Sequence, residues 1–236
     1  MPSASQSSAT LVLLRHGQST WNLEARFTGW TNVPLTEKGR QEAVSAGERL
    51  AEAGIDIAVS HTSLLSRAIK TAELALQAAG RDWVPVKRHW RLNERHYGAL
   101  QAASHEEMAA VHGADMVRTW RRSYDVRPPL LGDADERHPR HDLRYCNVAP
   151  EVLPAGECLA DVVSRMLPYY YDAIVPDLMA GGAVLVTAHG NSLRALIKHL
   201  DGISDDDIPG LEIPTGVPIL YRFDARCKVL GKESLA

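Results

Sequence analysis

The chain has 236 residues, 45% of them hydrophobic, and a formal net charge of −3. That length and apolar content suffice to bury a full core, and α/β units of this size are commonly single domains, so one domain over 11–236 is expected behind a loose tail over 1–10. The slightly negative balance supplies no general basic field, which argues against nucleic-acid or anionic-membrane binding and leaves any phosphate recognition to a local cluster.

The Ser/Ala-rich stretch from Met1 to Thr10 has neither the basic region nor the apolar core of a signal peptide. No run approaches the roughly 18 apolar residues that span a bilayer. Cys146, Cys158 and Cys227 are odd in number and lack metal-ligand spacing, which suits reduced thiols. These features predict a soluble, cytoplasmic protein.

Leu11-Val12-Leu13-Leu14 is a buried-strand pattern that runs into Arg15-His16-Gly17-Gln18-Ser19. Thr36 with Glu37 opens a helical pattern through Leu50, closed by Gly54, and Ile55–Ser60 reads as a short strand. A helix over Leu64–Ala79 ends at Gly80. Ser104–His112 and Asp115–Arg122 read as two short helices. Arg127–Gly156 is the longest irregular stretch, and such loops are commonly functional, so it is expected to border the site. Glu157–Met179 reads as a long helix bent at Pro168. Val184-Leu185-Val186-Thr187-Ala188 then leads into His189-Gly190-Asn191-Ser192, followed by a helix over Ser192–Leu200 and a strand over Val217–Phe223. Alternating strands and helices imply an α/β three-layer sandwich, a mostly parallel central sheet flanked by helices.

The two His-Gly segments share one form, and residues just past the C-termini of parallel strands build the ligand crevice of open α/β sheets. Both histidines would face one site. Arg15 sets a permanent cation beside His16, so the pocket suits an anion, and a positioned imidazole there can act as nucleophile or general acid. A lone histidine usually just satisfies a turn; the doubled pattern favours a catalytic pair. Arg67 lies near a helix start, where backbone N–H groups also attract anions, although it can equally be a solvated charge. Glu94 sits among Arg91, Arg95 and His96 in a segment with no amphipathic period, which favours a functional carboxylate over a surface charge. Two acidic groups resemble metal sites. Asp133, Asp135, Glu136, His138, His141 and Asp142 are interleaved with arginines and read as a solvated loop, and Asp205-Asp206-Asp207 after Ser204 reads as an N-capped turn. No metal is expected.

Arg15-His16-Gly17-Gln18-Ser19-Thr20-Trp21-Asn22, Phe27-Thr28-Gly29-Trp30, Leu92-Asn93-Glu94-Arg95-His96-Tyr97-Gly98, Trp120-Arg121-Arg122 and Ala188-His189-Gly190-Asn191-Ser192-Leu193-Arg194 together resemble the cofactor-dependent phosphoglycerate mutases of the histidine phosphatase superfamily. The likeness runs from about Leu11 to Phe223. Arg-His-Gly alone marks the superfamily; Leu-Asn-Glu-Arg-His-Tyr-Gly points to the mutase branch.

The resemblance implies interconversion of 3-phosphoglycerate and 2-phosphoglycerate in glycolysis and gluconeogenesis, primed by 2,3-bisphosphoglycerate without a metal. His16 would carry the phosphoryl group, Arg15 and Arg67 would grip its oxygens, His189 would stabilise its charge and Glu94 would move the proton. Arg121 and Arg122 would bind the substrate carboxylate and distal phosphate, a role compatible with their helix-end position. Ser19, Asn22, Thr28, Gly29, Arg95, Tyr97, Gly190 and Asn191 would line the substrate pocket. The implied partner is a small phosphorylated metabolite, with homo-oligomerisation left open. A histidine-type phosphatase acting on such a metabolite, or a non-catalytic phospholigand-binding protein, are the alternatives.

The chain departs from that pattern twice. The resemblance leads one to expect a lysine where His105 stands; an unperturbed histidine loses its charge near pH 6.5, so affinity would weaken between about pH 6 and 8 if His105 contacts the substrate, and would not if it points to solvent from the start of a short helix. The family also tends to carry a longer C-terminal tail over the site, whereas this chain stops at Ala236, which predicts weaker exclusion of water.

Overall fold

The structure is a computed structural model that describes residues 9–236. The expected tail lies outside the described residues up to position 8, and its last two positions already belong to the first strand. In chain order the elements are β1 (Ala9–Arg15), α1 (Thr20–Leu23), α2 (Glu37–Glu52), β2 (Ile57–Thr62), α3 (Ser66–Ala78), β3 (Val86–Arg88), α4 (His105–His112), α5 (Ala114–Arg122), α6 (Leu159–Tyr169), α7 (Val175–Met179), β4 (Ala183–Ala188), α8 (Gly190–Asp201), β5 (Pro218–Phe223) and β6 (Val229–Ser234).

The strands form one sheet in the order β3-β2-β4-β1-β5-β6. β3, β2, β4 and β1 pair in parallel, whereas β5 runs antiparallel to both β1 and β6. Successive side chains of a strand point to opposite faces. In β1, accordingly, Leu11 and Leu13 join the core formed with Leu159, Val162 and Met166 of α6 and Leu193 and Leu196 of α8. Val12 and Leu14 join the opposite core, with Ala46 and Leu50 of α2 and Ala75 and Leu76 of α3. The result is the expected three-layer, mostly parallel sandwich.

Several boundaries differ from the sequence-based expectation. β2 runs Ile57–Thr62 rather than Ile55–Ser60, because Gly54 closes α2 and Ile55 serves the turn, its N–H donating to Leu50 O at 3.0 Å. α8 begins at Gly190, directly after His189. The long helix expected over Glu157–Met179 begins at Leu159 and passes through a π-helical turn at Tyr170–Ile174, two residues beyond Pro168. Proline removes a donor and crowds the preceding turn, and a wider turn relieves that conflict. The edge strands β3 and β6 had no counterpart in the sequence reading.

The loop after β1 packs against the first turn of α2 through a close backbone approach. A Cβ on Gly17 would stand 2.0 Å from the carbonyl oxygen of Gly39, and one on Gly39 would stand 2.1 Å from that of Gln18. Thr36 caps α2 by accepting the Gly39 N–H at 3.0 Å, which fixes this helix start against the loop that carries His16.

Candidate active site

Pairing of Arg15 with Ala188 and of Thr62 with Thr187 brings the C-terminal ends of β1, β2 and β4 level. His16 and His189 follow immediately, and the His16 N–H donates to Ala188 O at 3.0 Å. Their ring centroids lie 4.9 Å apart with planes at 62°. The echo in the sequence is thus one site in space.

His16 is buried, and its Nδ1 stands 2.7 Å from the Gly17 carbonyl oxygen. A carbonyl can only accept, so Nδ1 holds the proton and Nε2 keeps its lone pair. Arg67 donates from Nε to that Nε2 at 3.3 Å, and its other nitrogens bond Thr31 O at 3.0 Å and Gly29 O at 2.8 Å. Burial, then the Arg67 and Arg15 cations, hold the His16 pKa well below the ordinary histidine value. The ring is neutral, and the lone pair of its Nε2 faces a guanidinium. Burial lowers Arg67 to about 10, which leaves it charged at neutral pH.

His189 is also buried and held neutral, by burial first and then by Arg67 and His16. Its Nε2 lies 2.8 Å from Ser63 Oγ, while Nδ1 has no hydrogen-bond partner among the described residues. With Ser63 donating, Nδ1 carries a proton free for an incoming oxygen. Arg15 donates from Nη1 to Ile213 O at 2.6 Å, but its Nε, like that of Arg95 and of Arg194, is unpaired among the described residues. Buried donors are normally satisfied, so this concentration of spare N–H groups suits an anion. The residues present therefore fit a phosphorylated ligand.

Glu94 is fixed at both ends. Its Oε1 accepts the Arg95 N–H at 2.8 Å and the Asn191 N–H at 3.0 Å. Its carbonyl oxygen accepts Trp30 Nε1 at 2.5 Å and Arg165 Nη2 at 2.9 Å. Arg165 is itself anchored by Glu157, Nε to Oε1 at 2.5 Å, in a pair only 8% and 3% exposed. A Cβ placed on Gly190 would lie 3.6 Å from both Arg15 Nε and Glu94 Oε2, so Gly190 marks where cation and carboxylate converge.

A cavity of about 430 Å³ is lined by Arg15, His16, Asn22, Thr28, Gly29, Arg67, Glu94, Tyr97, Arg121, Arg122, Gly190 and Asn191. Three other expected residues are absent from that lining. His189 stands against His16, Ser19 is buried as the cap of α1, and Arg95 is buried, donating to Arg121 O at 2.5 Å and to Tyr97 OH at 3.3 Å. Ser19 and Arg95 therefore act from behind the surface, one shaping the Asn22 turn and the other aligning Tyr97 and the end of α5. The loop over 127–156, expected to border the site, contributes none of the lining. It buttresses the segment carrying Glu94 instead: Tyr145 OH accepts Asn93 Nδ2 at 2.8 Å and Pro129 O accepts the Ala99 N–H at 2.8 Å.

His105 does line the cavity, edge-on to Phe27 at 4.6 Å. Burial and then Arg121 push its pKa down to about 4, which corrects the expectation of a titration near pH 6.5. Sequence reasoning missed Arg26 and the Leu211–Pro214 segment of the lining, as well as Ser63 and Arg165 behind it, and gave no role to Arg194 or Trp30 although both stand within the motifs above. Arg194, four residues past Gly190 and so on the same helix face, was the one with a readable signal. In the acidic loop Asp135 pairs with Arg137 at 2.7 Å and Asp133 with Arg140 at 3.1 Å, and Asp205 pairs with Lys198 at 2.7 Å. Among the described residues no group of three His, Cys, Asp or Glu side chains could hold a metal ion, and no helix is long and apolar enough to cross a membrane.

The family model of the histidine phosphatase superfamily (branch 1) matches residues 11–137 and 131–231. The chain is 59% identical over 227 residues to the 2,3-bisphosphoglycerate-dependent phosphoglycerate mutase of Nitratidesulfovibrio vulgaris, covering 96% of this chain and 91% of that protein. It is 59% identical over 216 residues to the protein of the same name from Thermobifida fusca, covering 92% and 87%. Among solved structures it is similar to YhfR of Bacillus stearothermophilus, with a TM-score of 0.71, 27% identity and 93% of each chain covered. A mycobacterial glucosyl-3-phosphoglycerate phosphatase aligns with a TM-score of 0.68 and 27% identity over 90% of this chain and 92% of that one. Matches of this extent cover the strand ends, the Glu94 segment and α5 together, and the chain belongs to the histidine phosphatase superfamily, in its family of 2,3-bisphosphoglycerate-dependent phosphoglycerate mutases.

Proposed function

We propose that the protein is a phosphoglycerate mutase interconverting 3-phosphoglycerate and 2-phosphoglycerate, with residues 11–236 acting as one catalytic unit in the cytoplasm. The observation that carries this reading is the neutral Nε2 of His16, held 3.3 Å from Arg67 in a cavity that also presents the fixed Glu94 carboxylate. The high identity to named mutases supports the same substrate pair.

His16 Nε2 attacks phosphorus, forming an N–P bond as the P–O bond to the departing oxygen breaks. Arg67, Arg15 and the Nδ1–H of His189 neutralise the charge spread over the equatorial oxygens, which is most of what phosphoryl transfer asks of a protein. Glu94 delivers a proton to the departing oxygen and removes one from the hydroxyl that attacks in the return step. His16 gives its phosphoryl group to the free hydroxyl of the monophosphoglycerate and takes back the one at the neighbouring carbon. Arg121 and Arg122 hold the carboxylate and distal phosphate; Asn22, Thr28, Gly29, Tyr97, Gly190 and Asn191 shape the remainder. The primer, 2,3-bisphosphoglycerate, supplies the first phosphoryl group to His16, and the unpaired donors of Arg15, Arg194 and His189 suit its charge. No step draws on a metal, nucleic acid or membrane.

The test is incubation with 3-phosphoglycerate, with and without primer, followed by quantifying 2-phosphoglycerate against free phosphate. Primer-dependent 2-phosphoglycerate in excess of phosphate is the expected result, and predominant phosphate release would instead identify a phosphatase. Radiolabelled primer should leave acid-labile, base-stable label on the wild type and none on His16→Ala; label retained by the variant refutes the role of His16.

A further inference from the structure

Six arginines line the catalytic cavity, but only two carboxylates do, Glu94 and Glu212. Glu94 is tied to two backbone N–H groups and belongs to the chemistry. Glu212 lies between the turn at Ile208–Gly210 and β5, and its side chain is 76% exposed. Its carboxylate is held by one side chain, accepting Nη2 of Arg122 at 2.7 Å. Arg122 is the residue assigned above to an anionic group of the substrate.

A second cavity, also about 430 Å³, opens on the outer side of this pair. It shares Arg121, Arg122 and Glu212 with the catalytic cavity and adds Arg118, Pro209 and Gly210. The Arg122–Glu212 pair therefore forms part of the partition between an outer basin and the catalytic pocket. Arg118 faces that basin one helical turn before Arg121 and Arg122, exposed and with no ion pair among the described residues.

We propose that Glu212 is a specificity-determining charge gate: it neutralises Arg122 in the resting site, and an incoming anion must displace it to pass from the basin at Arg118 onto Arg121 and Arg122. This rests on the mutase reading for the identity of the substrate, but not for the chemistry of the gate. A displaceable counter-ion taxes every anionic ligand. The tax falls most heavily on ligands that use Arg122 fully, so removing it strengthens binding in proportion to ligand charge. A strut that merely held the loop to α5 would do the reverse, since its loss would loosen the pocket wall.

The experiment measures binding by titration calorimetry on the His16→Ala background, where phosphoryl transfer cannot occur, with and without Glu212→Gln. The probes are 2,3-bisphosphoglycerate, 3-phosphoglycerate and inorganic phosphate. Exposed ion pairs are weak, so the expected tightening is roughly two- to fivefold for 2,3-bisphosphoglycerate, smaller for 3-phosphoglycerate and least for phosphate, shrinking as salt is added. Glu212→Ala gives the same order. Unchanged affinities, or weaker binding in both variants, overturn the gate. Wild-type enzyme assayed in parallel for 2-phosphoglycerate separates the two claims: inactivity with tightened anion binding refutes the mutase reading alone, and activity with unchanged binding refutes the gate alone.

Discussion

Glu94 and His105 stand in the same cavity, yet the structure assigns them opposite relations to charge. Glu94 has its main-chain oxygen clamped by Trp30 and Arg165 and one carboxylate oxygen tied to Asn191, so substitution by Gln keeps the shape and removes only the proton acceptor. General acid–base groups contribute about 10²- to 10⁴-fold, and kcat of Glu94→Gln should fall within that range while circular dichroism stays unchanged. A kcat within twofold of wild type would return Glu94 to a structural role. His105, with its pKa near 4, is neutral throughout the range from about pH 6 to 8. Its replacement by lysine installs a permanent cation, so KM for 3-phosphoglycerate should drop by roughly fivefold, as for a half-exposed charge pair, and by the same factor at each pH. Profiles that converge at the acid end would show that His105 is protonated there. The convergence of His16 and His189 was legible because a strand end and a His-Gly turn are local. Ser63 and Arg165 were not, since each meets the site only through a tertiary contact.

Elements carry the precision of the site, above all where the loop after β1 packs on the start of α2. The two backbones touch at Gly17 and Gly39, and any side chain at either position collides with a carbonyl oxygen, a group that cannot rotate away. Gly17→Ala should therefore cost about 1–3 kcal/mol of stability, the usual range for overpacking, and should lower kcat as well because His16 is the adjacent residue. Thermal unfolding and steady-state rates of the one variant check both; an unaltered melting temperature with normal kcat would mean that the loop relaxes freely. The sequence betrayed the strands and helices with strong periodicity but not β3 and β6. β3 has just three residues, all exposed, and β6 is exposed at most positions, so neither shows the apolar alternation that marks a buried face. The antiparallel setting of β5 was equally hidden, because strand direction depends on where the connection from α8 crosses the sheet. The loop over 127–156 was misjudged for a related reason: irregularity in sequence signals a lack of period, while its role, packing behind Asn93 and Gly98, is set by contacts far along the chain.

At the scale of the whole molecule, the same burial that keeps His16 and His189 neutral makes the fold sensitive to acid. His16, His61, His96 and His189 are all buried, and burial is the leading cause lowering the pKa of each, to about 3 for His96. For His61 the hydrogen bond from Nε2 to Asp177 at 2.9 Å opposes the shift without cancelling it. A histidine whose pKa is lower in the folded than in the unfolded chain binds its proton first on unfolding. Its stabilising contribution is present above the unfolded value of about 6.5 and is lost as pH falls towards the folded value. Each such group steepens the decline by up to about 1.4 kcal/mol per pH unit once the unfolded histidines are fully charged. Urea unfolding at a series of pH values should show stability nearly level above about pH 7 and falling with increasing slope below 6, before carboxylate protonation adds its own loss. His96 offers a direct test, because its Nδ1 only accepts the Gly98 N–H at 3.1 Å and its position lies outside the catalytic cavity. His96→Asn retains an amide oxygen that can take this N–H and deletes one proton from the balance. The variant should be less stable at neutral pH yet lose stability less steeply between about pH 6 and 4.5, by close to one proton's worth of slope. Parallel curves for the two proteins would show that His96 takes up a proton within the folded state, and that the acid sensitivity of the fold has another source.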